Sequence, residues 1–273
     1  FNAFGSRVTL LESLPQILPR EDGEAAESLC ASLERQGVAI ETDARVREVE
    51  VLSDGVQVGY EMSGEKREVT VERVLMAVGV SGQSEGLGLE ALGVRMRNGA
   101  IEIDERQQTS VEGIWAIGDV AGPPQLAHVA SAEGIAAVDF MAGRSRLGVD
   151  RNAVPNCIYS HPQVASVGLS EAEARAQGLN VKVGRFPFAA SGKARAARET
   201  EGFVKLVFGS RYGELLGGVV VGAEATELIG ELALGLRLEA TYEELLHTIH
   251  AHPTMAEGIM EAAGEAFGEA INI

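Results

Sequence analysis

Cysteine is nearly absent. Cys30 and Cys157 are the only two in 273 residues. They stand far apart, which excludes a disulfide framework or a cysteine metal cluster. Both read as buried thiols, and their scarcity predicts a reducing, cytoplasmic setting. Aromatic residues make up only 5% of the chain, with one tryptophan, so aliphatic side chains must fill the core. Positive charge is also short: 23 Lys and Arg face 40 Asp and Glu, a formal net charge of −17. Nucleic acid and anionic membrane both need a basic face, so neither is expected as the main partner. No apolar run approaches the roughly 18 residues of a spanning helix. No signal-peptide pattern, internal repeat or low-complexity segment is read. What remains, 45% hydrophobic and 23% charged residues, suits a globular protein with room for two domains.

The chain opens Phe1-Asn2-Ala3, without methionine. "FNAFGS" reads as the end of a helix closing on Gly5, and we expect a piece of a longer protein. "RVTLLES" (7–13) reads as a short buried strand ending in an acid. Residues 22–37 have apolar positions at Ala25, Leu29, Cys30 and Leu33, then Gly37: an amphipathic helix with a glycine stop. Alternation follows, with Asp54-Gly55 as a hairpin turn. The valine-rich run within 68–80 predicts a strand covered on both faces. Residues 81–98 are loop-like, 99–120 predict two strands with the second stopping at Gly118-Asp119, and 131–143 predict a helix of small residues. Beyond about residue 150 the composition changes. A strand leads to a helix capped by Ser170, residues 203–223 form two strands, and helices are expected over 225–238, 242–248 and 254–268.

Three stretches carry candidate chemistry. In "HAHPTMAEG" (250–258), Pro253 suits the first turn of a helix, which sets His252 at its entrance and Glu257 one turn in. A carboxylate on one ring nitrogen would fix the tautomer and leave the other nitrogen to move a proton. The same residues also suit a helix cap with a surface histidine, or, with less support from spacing, a zinc ligand pair. "TSVEGIWAIGDV" (109–120) presents Asp119 where a strand stops, as a ribose-binding acid or as a solvated turn. Glu12 closes its strand either as the acid that meets an adenosine ribose and favours NAD, or as a surface acid.

Taken in order, "RVTLLE", "LERQGVAIETDARV", "VLMAVG", "TSVEGIWAIGDVAGPPQLAH", "VPNCIYSHPQVASVGLSEAEA", "RFPFAASGKARA", "GFVKLV", "ELIGE" and "HAHPTMAE" resemble the dihydrolipoyl dehydrogenases, flavin disulfide reductases of the 2-oxo acid dehydrogenase complexes. The resemblance runs along essentially the whole chain. It implies a fold of α/β plus α+β class: truncated Rossmann-like NAD and FAD domains, then an α+β dimerisation domain. Residues 1–80 would be the remainder of the NAD domain, 81–150 the returning part of the FAD domain, and 151–273 the interface domain. By this resemblance His252 is the base that serves the dithiol and Glu257 orients it. Asp119 binds FAD, and Gln125, Leu126, Ala127 and His128 lie along the flavin. Glu12, Val46 and Gly79 line the NAD site. The histidine dyad would serve the partner subunit of a homodimer, with a lipoyl domain as substrate; His250 would play a supporting part.

The sequence also departs from that pattern. The redox Cys-x₄-Cys and both glycine-rich fingerprints are missing. "VSGQSEGLGLE" replaces the usual arginine after Gly79, Gln125 stands where methionine is frequent, and His161 where threonine is. The expectation is an enzyme fragment that alone is inactive and holds FAD weakly or not at all. The competing readings are a non-catalytic dimerisation or docking module, or a piece of a related reductase such as glutathione reductase.

Overall fold

A single 3₁₀ turn, Asn2–Phe4, opens the chain and closes on Gly5 at φ 92°, in keeping with the helix end expected there. The computed structural model describes residues 1–144 and 148–272. They divide into two units, Phe1–Val74 with Asn152–Ile273, and Leu75–Arg151.

The first unit begins with β1 (Thr9–Leu11), α1 (Gly23–Arg35) and β2 (Ala39–Glu41), and β1 pairs with β2 in parallel. Asp22 caps α1 by accepting the Glu24 N–H at 3.0 Å, and Ala25, Ala26, Leu29 and Ser32 form its buried face. An antiparallel meander follows: β3 (Ala44–Val51), β4 (Val56–Met62) and β5 (Glu65–Val71). Its first turn closes at Asp54-Gly55, where the Leu52 N–H donates to the Gly55 carbonyl. β1 is less covered than its sequence implied. Thr9 is exposed and Leu10 and Leu11 are half-buried, because among the described residues only β2 pairs with it.

The second unit holds β6 (Met96–Arg97), β7 (Ala100–Ile101) and α2 (Ala127–Met141). Here two strand expectations fail. Past Val71 no strand forms through residue 80, and Leu75 and Val78 are 75% and 85% exposed. The second strand expected within 99–120 is reduced to isolated bridges, Ile103 with Thr109 and Gln108 with Trp115. The cause is shared. An apolar run becomes a central strand only where neighbours pair its backbone and cover its faces, and no such neighbours stand among the described residues. α2 starts four residues before the expected helix. The local core is small, built on Leu89, Val94, Ile101 and Ala116.

The chain then returns to the first unit with β8 (Asn156–Ile158), β9 (Gln163–Gly168), α3 (Glu171–Ala176), β10 (Val181–Pro187), α4 (Gly192–Ala197), β11 (Phe203–Gly209), β12 (Leu215–Gly222), α5 (Ala225–Arg237), α6 (Tyr242–His247) and α7 (Glu257–Phe267). Ser170 caps α3 in a full capping box with Glu173. The five strands form one antiparallel sheet in the order β10-β11-β12-β9-β8.

Side-chain alternation splits this sheet between two cores. Val164, Val219 and Val221 pack with Ala25 and Leu29 of α1 on one face. Ala165, Val167, Val204, Leu206, Phe208 and Val220 pack with Ile229 and Leu232 of α5 and Ile259 and Ala262 of α7 on the other. Both faces are covered, which explains the nearly unbroken apolar runs of β11 and β12. α7 crosses β10 so closely that a Cβ on Gly184 would lie 1.8 Å from the Ala262 carbonyl oxygen. Only glycine permits that approach. Cys30 and Cys157 are half-buried rather than buried, and burial pushes both thiols up, away from the reactive thiolate.

Candidate functional site

The "HAHPTMAEG" segment links α6 to α7. Met255, 6% exposed, plugs into the same core as Ile259. That contact fixes where α7 starts, at Glu257. Pro253 therefore lies outside the helix, and Glu257 opens the helix rather than sitting one turn inside it.

The expected contact forms. His252 Nδ1 lies 2.8 Å from Glu257 Oε1, and the other carboxylate oxygen accepts the Thr254 N–H at 2.9 Å. The Thr254 hydroxyl donates to the Ala251 carbonyl at 2.7 Å. Burial pushes the Glu257 carboxyl up, but the Thr254 N–H and the His252 ring outweigh it and hold the group below its ordinary range. An ionised Glu257 accepts from Nδ1–H, so the basic nitrogen of His252 is Nε2. The His252 side chain is 77% exposed and Glu257 26%. The arrangement is an oriented imidazole on a half-buried carboxylate with its working nitrogen at the surface, competent to take a proton from an incoming acid. Thr254 was not legible in the spacing, because it acts through its backbone.

In the second unit Asp119 is exposed in the first turn of a 3₁₀ segment, Gly118–Ala121. Two contacts from a buried carboxylate hold that segment. Glu133 on α2, 3% exposed, accepts the Gly118 N–H at 2.8 Å and receives Arg151 Nη2 at 2.6 Å. Arg151 Nη1 donates to the Pro123 carbonyl at 3.0 Å. Gly82 lies against the Asp119 backbone, where a Cβ would meet its carbonyl oxygen at 2.6 Å. Leu126 is the N-cap of α2 and gives no side-chain cap, while Gln125 precedes it and Ala127 and His128 begin the helix. These residues are thus contiguous with Asp119. An exposed carboxylate a few residues ahead of a helix whose N-cap residue gives no side-chain cap suits a ligand with hydroxyls and carbonyl oxygens. That fits one end of a flavin nucleotide, while the sequence offers no glycine fingerprint for its pyrophosphate. Glu133 had one legible signal, as the lone early acid in a run of small apolar residues.

Glu12 follows β1, and its carboxylate accepts the Leu14 N–H at 2.9 Å. Its carbonyl accepts from Ala44 N at 2.8 Å, which brings Glu12 to the start of β3, where Val46 is 44% exposed. Gly79 belongs to the second unit, at φ 114° with open space where a Cβ would stand. Among the described residues no three His, Cys, Asp or Glu converge to hold a metal, and no helix is long and apolar enough to cross a membrane.

Comparison with known proteins bears on this arrangement. A family model described as pyridine nucleotide-disulphide oxidoreductase matches residues 1–134, and that for the dimerisation domain of the same family matches 154–263. The chain is 46% identical to a dihydrolipoyl dehydrogenase of Rhizobium etli, over 100% of its own length and 57% of that protein's. It is 43% identical to a Bacillus subtilis protein of the same name, over 98% of this chain and 57% of that one. Among solved structures, LpdA from Mycobacterium tuberculosis superposes with a TM-score of 0.88 at 30% identity, covering 96% of this chain and 57% of that one. The HOCl-induced flavoprotein disulfide reductase RclA from Escherichia coli gives 0.89 at 29% identity, covering 96% and 60%. The chain therefore spans less than two thirds of the relatives it matches. With two models of one family accounting for most of the sequence, and with this fold, the chain belongs to the pyridine nucleotide-disulphide oxidoreductases.

Proposed function

We propose that this chain forms the later part of a dihydrolipoyl dehydrogenase, which oxidises a protein-bound dihydrolipoyl group and reduces NAD in the cytoplasm. The observation that carries the reading is the His252–Glu257 contact at 2.8 Å with the imidazole left open to solvent. Oxidation of a dithiol to a disulfide releases two electrons and two protons. In a full-length reductase, His252 Nε2 accepts one thiol proton. The thiolate so formed attacks a redox disulfide supplied by the rest of that protein, forming a mixed disulfide as that S–S bond breaks. The second thiol gives up its proton in turn as it closes the substrate disulfide and leaves the redox pair reduced. Glu257 keeps Nδ1 protonated and stabilises the imidazolium that results, a device worth about 10²–10⁴ in rate.

FAD, when bound, supplies the two-electron relay between sulfur and nicotinamide. Asp119 would hold its polyhydroxyl chain, with Gln125, Leu126, Ala127 and His128 alongside. Glu12 would accept hydrogen bonds from the adenosine ribose of NAD, with Val46 lining that site. In this reading residues 1–80 belong to the NAD domain, 81–150 to the FAD domain, and 151–273 to an interface domain that pairs two subunits, so that His252 serves the partner's reaction centre. The matched dimerisation-domain description supports that pairing.

The missing Cys-x₄-Cys favours a second reading for the chain by itself: a dimerising module without turnover. The two are separated by His252→Gln in a full-length reductase that contains this sequence. Lipoamide oxidation should collapse while subunit assembly persists. Unchanged activity would reduce the dyad to a helix cap.

A further inference from the structure

The segment carrying His252 is anchored by a group that the proton transfer itself does not use. From His247 to Pro253 every residue is exposed except His250. Its side chain is 5% exposed. Nδ1 lies 2.9 Å from the Thr248 carbonyl oxygen, and Nε2 lies 2.8 Å from Glu231 Oε1 on α5. Both neighbours are acceptors. A neutral imidazole carries one N–H and can satisfy only one of them. Two N–H groups are therefore needed, or a protonated Glu231. Imidazole is ordinarily more basic than a carboxyl by about two pH units, so the proton belongs on the ring. The titratable groups facing His250 are Glu231 from α5 and Glu257 from α7, and both favour its cation. The Glu231 carboxylate raises the ring above its ordinary range, against the effect of burial.

We infer that Glu231 and His250 are positioning residues for His252: an imidazolium–carboxylate strut that ties the exposed link between α6 and α7 to α5 and keeps the His252 ring on Glu257. The path is short. His250 adjoins Ala251, whose carbonyl accepts from the Thr254 hydroxyl, and the Thr254 N–H holds Glu257. Met255 secures the far end in the core, so the strut supplies the near end. The catalytic meaning of the strut rests on the reading of His252 as a base. The strut itself rests on geometry alone.

Side-chain ¹⁵N NMR of the histidine-labelled chain tests it. At about pH 7 His250 should show protons on both ring nitrogens, and His252 a proton held on Nδ1. As pH is raised, the His252 signal should lose its single tautomer in step with deprotonation of His250. Glu231→Gln should produce the same change at about pH 7, and Glu231→Asp should restore part of the original signal. A neutral His250 at that pH overturns the proposal, as does a His252 signal indifferent to both the His250 transition and Glu231→Gln. In a full-length reductase, Glu231→Gln should lower kcat about tenfold with KM little changed, as expected of a misaimed base. If the NMR coupling appears but His252→Gln leaves activity intact, the strut stands and the proton-transfer reading falls.

Discussion

Lys205 and Asp22 stand 183 residues apart in sequence, and their charged atoms meet at 2.8 Å with both side chains buried. Lys205 interrupts the apolar run of β11 on the face that meets α1, and it also reaches Glu24 at 2.7 Å and Glu171 at 3.1 Å. Lys205→Met would leave Asp22 charged and buried without its cation. We expect a loss of about 3–5 kcal/mol, the usual result of breaking one side of a buried pair. Urea unfolding checks this through a lower midpoint with an unchanged slope.

Glu24 supplies a pH prediction. Hydrogen bonding to Arg185, with Lys205 adding to it, outweighs burial and holds its carboxyl at about 2, against an ordinary 4.5. The folded value lies below the unfolded one. The contribution is therefore complete above the unfolded value and is lost as pH falls from there through about 2. The Glu24 side chain is 43% exposed, so salt should weaken the effect. Glu24→Gln should flatten acid unfolding across that window, and an identical acid limb in the variant would disprove the assignment.

Gly184→Ala should be among the most damaging small substitutions in the chain. Its Cβ would collide with the Ala262 carbonyl and force α7 off the sheet. Overpacking of this kind costs about 1–3 kcal/mol or more. Since α7 begins with Glu257, the same variant should disturb the His252–Glu257 contact, visible as a changed His252 ring signal.

In a full-length reductase, Glu257→Gln should keep the hydrogen bond to His252 but lose the charge that stabilises the imidazolium. We expect kcat to fall about 10²-fold with the dimer intact. A rate within twofold of the parent would remove Glu257 from the mechanism.

Glu133→Gln should loosen the segment that presents Asp119. It weakens charged hydrogen bonds to Gly118 and Arg151, each worth about 1.5–3 kcal/mol. Amide exchange at Gly118 should accelerate about tenfold or more, while β11 and β12 stay protected.

The elements after residue 150 were largely legible because their partners lie in the same sequence. β11, β12 and the three last helices find their covering faces nearby, and their bounds fall close to the expected ones, whereas the single strand expected before Ser170 is two, β8 and β9, and β10 and α4 were not expected. Residues 74–80 and 114–117 carry equally clear strand signals, yet neither forms a strand. A buried-strand pattern describes the neighbours a segment needs, and cannot reveal whether they are present. At the candidate site, His252 and Glu257 were readable because they are close in sequence. Glu231, Glu133 and Arg151 were not singled out, since each meets its partner through the fold, at a sequence separation of 15 or more.

The exposed run from Val74 to Val80 has a practical consequence. It offers Leu75, Met76, Val78 and Val80 to solvent, free of charged side chains and proline, next to backbone groups that pair with no strand among the described residues. Such a stretch is a template for intermolecular β-pairing. We expect association of this chain at high concentration to start from such residues and not from the well-packed sheet. A lysine at position 76 or 78 should raise the concentration at which association begins without moving the unfolding midpoint.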